Sequence, residues 1–305
     1  MFVVPTAWEL ASLVCKLLLY FGTASIAGGS LSLRLYNDGS RKSVNSLLLY
    51  IMAGALLGFQ GVLANFFIQV GLINDSGLSG MFDWSMASLL LGAQLGDVTI
   101  FRLAGFVLVI LSTLFYLRKA QHLIQPPSQA FFGALLILHG VVLIAIAFSF
   151  TLAGHVSVLG VVPRFAIIVH TLAFSVWIGA LIPLLLLTAS TDLDLLQRLL
   201  KRFGDHAIAV LLALAGAGVL MLLSLLETPG QLLSSAYGLA LLVKLIMVAL
   251  IVGIAGLNKL VFVPAILRQG HAASLRNSIR VEILVATLIL MLTAYLSTIV
   301  GPPGH

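Results

Sequence analysis

His170, Phe174 and Trp177 stand at i, i+4 and i+7, so on a helix the three share one face. They lie in GHVSVLGVVPRFAIIVHTLAFSVWIG, residues 154–179, a run otherwise aliphatic enough for lipid. An imidazole in hydrocarbon is expensive to hold, normally faces the bundle interior, and by default marks a functional path. The plainer alternative is a neutral ring that gives one hydrogen bond between helices. His155 comes just before this helix. On one straight helix the two rings would be about 22 Å apart, but Gly154, Gly160 and Pro163 allow a reversal that would bring His155 over His170.

Soft side chains recur at comparable depth on other apolar runs: Cys15, Met221 and Met291. Thiolate, thioether and imidazole are the donors that suit Cu(I), which makes His155, His170, Met221 and Met291 the candidate metal ligands. Each methionine is also an ordinary core filler, and so is a lone buried cysteine; Met81 and Met86 share that alternative. A single cysteine excludes an intramolecular disulfide framework. Lys244 lies about 12 Å inside an apolar run. It is expected either to hold a carboxylate such as Glu227 or Asp97 or to set the potential at a pore mouth, and unpaired it would repel copper. Arg102 and Arg164, at helix ends, can snorkel to the interface. Asp205, His206, Asn258 and Glu282 gather toward the opposite ends of their helices. Capping explains carboxylates at helix N-termini, and Glu282 with His206 is the candidate inner relay. His139 is the remaining embedded imidazole. A dihaem b-type site needs level histidine pairs, whereas His139, His170 and His206 fall at middle, outer and inner depths.

The elements that must position these groups follow from composition. Of 305 residues, 61% are hydrophobic and 9% charged, which puts the chain among polytopic membrane proteins. A span takes about 20 apolar residues, and eight stretches qualify: 8–33, 44–72, 99–117, 130–150, 163–187, 205–227, 236–258 and 279–300. The expected fold is all-α, a single domain of eight transmembrane helices. The sequence holds no GxxxxGK[ST] phosphate loop. MFVVPTAWEL has no basic n-region and the first apolar run is too long for a signal-peptide core, so a retained first helix is expected.

Lys and Arg cluster in alternate connections: Arg34, Arg41 and Lys42; Arg118 and Lys119; Arg198, Lys201 and Arg202; Lys259, Arg268, Arg276 and Arg280. By the positive-inside rule these face the cytoplasm and both termini face outward. The formal charge of +6 therefore reports topology before it reports a partner. Residues 80–97 are apolar but too short and interrupted to span, and are expected to form an outer re-entrant or interfacial segment. TASTDLDLLQRLLKRFGD, after the fifth span, predicts a short amphipathic helix on the inner surface.

From Gly154 onward the chain resembles the CopD family of copper-resistance and copper-uptake membrane proteins. The likeness is carried by GH at 154–155, His170 with WIG at 177–179, KRFGDHA at 201–207, SAYGLALLVK at 235–244, Asn258, Glu282 and PP at 302–303. In the first half it is limited to Gly28, Gly29 and an Arg102 soon after Gly96. The resemblance implies a permease, not an enzyme, that moves copper inward across the bacterial inner membrane. It also implies a periplasmic copper carrier of the CopC type as partner, and points to His155, His170, Trp177, Lys244 and Glu282. Competing expectations are a haem- or quinone-linked oxidoreductase using His139, His170 or His206, and a structural or assembly partner for a copper enzyme.

Overall fold

The computed structural model describes residues 4–75, 77–125, 127–152, 160–189, 192–225 and 230–301, and among these there are helices and no strands. Eleven α-helices follow one another. They are α1 (Ala7–Leu35), α2 (Arg41–Asn74), α3 (Trp84–Leu91), α4 (Gln94–His122), α5 (Gly133–Ser149), α6 (Val161–Leu187), α7 (Leu193–Leu225), α8 (Gln231–Ser234), α9 (Ala236–Leu257), α10 (Val263–Gln269) and α11 (Ala273–Tyr295). Turns of π-helix at Asn258–Phe262 and Leu296–Val300 carry α9 into α10 and prolong α11. Eight helical segments are long and apolar enough to cross a membrane, and they fall on the eight stretches expected from hydropathy. The chain is a polytopic helical membrane protein. Inner and outer below follow the charge assignment above.

Local chemistry starts and stops the helices. Thr6 and Glu9 form a reciprocal capping box at the start of α1, with the Glu9 carboxylate accepting from the Thr6 backbone N–H at 2.7 Å. Asp83 accepts from the backbone N–H groups of Ser85 and Met86 and so begins α3, the outer segment. That helix lays Ala87 against Phe66 and Val70 of α2. The inner amphipathic stretch differs from expectation: it is continuous with the sixth span in the single helix α7. Nothing in LLKRFGDHAIAV breaks the turn, and Leu196, Leu199 and Leu200 gain a core in the cluster that holds Leu184 and Leu187 of α6 and Val263 and Ile266 of α10.

Two of the four buried clusters flank the candidate site. One joins α1, α2, α4 and α5 around Ile26, Leu48, Phe106 and Ile146; the other joins α6, α7, α9 and α11 around Trp177. The seam between them is the crossing of α1 and α6, where glycines meet. A Cβ on Gly28 would stand 1.9 Å from the Gly179 carbonyl carbon, and one on Gly179 would stand 1.7 Å from the Ala24 oxygen. Tyr50 of α2 locks the crossing by donating its hydroxyl to the Gly179 carbonyl at 3.0 Å. Small residues let helices approach where lipid supplies no hydrophobic drive, and this contact fixes the depth and rotation of α6.

Candidate functional site

α6 carries His170 into the interface with α7. There Nδ1 lies 3.3 Å from the Leu214 carbonyl, and a Cβ added at Gly218, one turn further along α7, would stand 3.5 Å from the ring. A carbonyl can only accept, so the proton sits on Nδ1. Nε2 then keeps its lone pair and has no hydrogen bond among the described residues. Metal-binding histidines use this arrangement, in which the second nitrogen is oriented by a backbone carbonyl. Phe174 stands one turn inward, 6.5 Å from the imidazole between centroids, and meets Tyr20 of α1 edge-on at 5.9 Å.

The remaining outer candidates divide. Met221 is half-buried on α7, three and seven residues beyond Gly218 and Leu214, so it shares the face that touches His170. Met291 is 44% exposed on the outside of α11. Cys15 is buried in α1. His155 lies outside the described residues. Lys244 projects from α9. It forms no ion pair with Asp97, and Glu227 is not among the described residues. No group of three or more His, Cys, Asp or Glu side chains assembles among the described residues.

Trp177, seven residues inward of His170, is buried. With Leu31, Tyr36, Phe203 and His206 it lines a small cavity toward the inner end. His206 is held there by Tyr36, whose hydroxyl is 2.6 Å from Nδ1. Burial pushes the Tyr36 hydroxyl up to about 12, so it stays a neutral phenol in this bond. Sequence reading missed Tyr36; its position at the end of the first span gave no periodic signal.

The proposed inner relay does not form. Glu282, 3% exposed, accepts from the Asn258 amide at 2.9 Å, whereas His206 is bonded to Tyr36. The π-turn that starts at Asn258 places this amide inside, and its Oδ1 is buried without a partner. Lys259 on the same turn ties α7 in place through Asp205 at 2.7 Å and the Gly204 carbonyl at 2.9 Å.

His139 is fully buried, and both ring nitrogens are occupied: Ser30 on α1 is 2.7 Å from Nδ1 and Ser112 on α4 is 3.0 Å from Nε2. It joins three helices and has no nitrogen left for an axial bond to haem iron. Its place at middle depth was legible in the sequence; its serine partners, on two distant helices, were not.

Comparison with known proteins bears on the same surface. The sequence profile of the family described as CopD, copper resistance protein D, matches residues 197–296. The matched segment holds His206, Met221, Lys244, Asn258, Glu282 and Met291, while His155, His170 and Trp177 precede it. A curated relative, Copper resistance protein D of Pseudomonas syringae pv. tomato, is 28% identical over 245 residues, which is 73% of this chain and 75% of that protein. No solved structure matches.

Proposed function

We propose that the chain is a copper permease of the bacterial inner membrane that accepts copper at its outer face and passes it toward the cytoplasm without ATP. The observation that carries this reading is the His170 ring, oriented through Nδ1 by Leu214 with Nε2 free among the described residues, in a chain whose residues 197–296 match the CopD profile. Met221, on the face of α7 that meets His170, supplies a soft donor, and His155 enters as a second imidazole from the segment before α6. Trp177 and Phe174 line the descent from His170. The cavity beside His206 and the buried Glu282 carboxylate mark the inner end. With the inside negative, an inward cation gains about 2.3 kcal/mol per charge per 100 mV, so the membrane potential is a sufficient drive. A periplasmic carrier of the CopC type is the proposed donor. The copper ion is cargo, and no covalent step is needed.

The haem-linked alternative loses His139 to its two serines and half of His206 to Tyr36. Copper content of the purified chain, native against the His155→Ala, His170→Ala double variant, tests the proposal. It expects copper to be lost with the two rings. Undiminished copper, or a Soret band in the native protein, would overturn it.

A further inference from the structure

We infer that Lys16 and Arg102 form a site for a phosphate-type oxyanion at the outer end of the bundle. Lys16 of α1 donates to the carbonyl and hydroxyl of Ser297, at 2.8 and 3.3 Å, in the π-helical extension that ends the last span. Arg102 of α4 donates through Nε to the Ser149 hydroxyl at 2.7 Å, at the outer end of α5. Ser297 and Ser149 each close an outward-running span, so the two cations are held at one level, near the outer helix ends.

The two cations border one aromatic pair. Tyr20, one turn inward of Lys16, has its ring 6.2 Å from that of Phe150, the ring on which the Arg102 guanidinium rests. Like charges brought together in a partly desolvated site repel, and an acidic partner is the usual remedy. None is supplied among the described residues, where the ion pair present, Lys259–Asp205, lies at the inner end. Among them, every hydrogen bond that Lys16 and Arg102 make goes to a neutral serine oxygen.

Donors remain after those bonds. The Arg102 guanidinium is fixed with its carbon 4.5 Å from the centre of the Phe150 ring, and its two Nη groups have no hydrogen bond among the described residues. Lys16 keeps a third N–H. A planar fork held against an aromatic face beside a point charge is the donor set that grips phosphate oxygens. At this level the phosphate of an outer-leaflet phospholipid and free phosphate can both reach it. An anion here offsets the two charges next to the route into the bundle, since Tyr20 adjoins Phe174 and Phe174 adjoins His170. The inference does not depend on the copper reading.

The test uses the full chain, extracted in mild detergent, as native protein, K16Q, R102Q and the double variant, with K42Q as a control for an inner cation. Native mass spectrometry reads co-purified phospholipid. Thermal denaturation of delipidated protein reads the response to added phosphatidylglycerol and, separately, to inorganic phosphate. The expected result is about a tenfold or greater loss of lipid occupancy, or of the phosphate-induced rise in Tm, in the double variant, with K42Q like the native chain. Loss confined to the lipid arm assigns a headgroup; loss confined to the phosphate arm assigns a soluble oxyanion. Should the double variant fail to fold, the single variants decide on the same readouts. Equal lipid retention and equal phosphate response in native and variant chains overturns the site.

Discussion

The Nδ1 of His170 faces the Leu214 carbonyl at 3.3 Å, across the contact between α6 and α7. One hydrogen bond therefore selects the tautomer and leaves the Nε2 lone pair free, the ligand atom on the proposed reading. Replacing His170 with Ala is expected to weaken copper binding about tenfold or more, read by competition with a chromophoric chelator. His170→Gln, which can keep the bond to Leu214 but lacks the imidazole nitrogen, should be as weak. Wild-type affinity in the glutamine variant would show that His170 only packs.

At the α1–α6 crossing, Gly179 has no room for a side chain against the Ala24 carbonyl. Gly179→Val should cost about 3 kcal/mol or more, because the obstructing atom is backbone and cannot rotate away. The measure is folded yield after detergent extraction. A normal yield would mean that the helices can separate without loss.

His139 is expected to be structural. His139→Leu removes two buried hydrogen bonds and leaves Ser30 and Ser112 to find other partners, at a cost of about 1–3 kcal/mol. Copper content per folded chain should be unchanged. A fall in copper at constant fold would assign His139 a role on the path.

Tyr36 stays a neutral phenol across physiological pH, and its partner is His206. Tyr36→Phe should cost about 1 kcal/mol in stability and slow copper entry into proteoliposomes while leaving copper bound at the outer side. Equal loss at both ends would contradict the separation of the His170 and His206 regions.

Asp83 predicts a pH dependence in the outer segment. The Met86 backbone N–H, then the Ser85 N–H and the Asn74 amide, hold its carboxyl below the ordinary value. A depressed folded value means that the stabilisation is present above the unfolded value, about 3.9, and is lost as pH falls through the folded one. Hydrogen-exchange protection of α3 should therefore be constant from neutrality to about pH 5 and fall in more acid solution. Asp83→Asn, which caps without titrating, should abolish that dependence.

What could be foreseen was what hydropathy and charge encode locally. The eight spans were legible because each backbone crossing lipid must satisfy its own hydrogen bonds as a helix over a fixed thickness. The spacing of His170, Phe174 and Trp177 predicted a shared face on any helix, and the CopD likeness was carried by short words in fixed order. The partners of those residues were not encoded in any local pattern. Whether an imidazole ends between two serines, as His139 does, or against a carbonyl with one nitrogen free, as His170 does, depends on which helices cross and at what rotation. Glycine contacts such as Gly28 with Gly179 set that rotation, between residues 151 positions apart in the chain. The tertiary structure likewise separated Glu282 from His206, since the π-turn at Asn258 aims an amide at the carboxylate where a straight helix would have continued its register. Periodicity fixes which residues can face inward; packing alone decides what each one meets there.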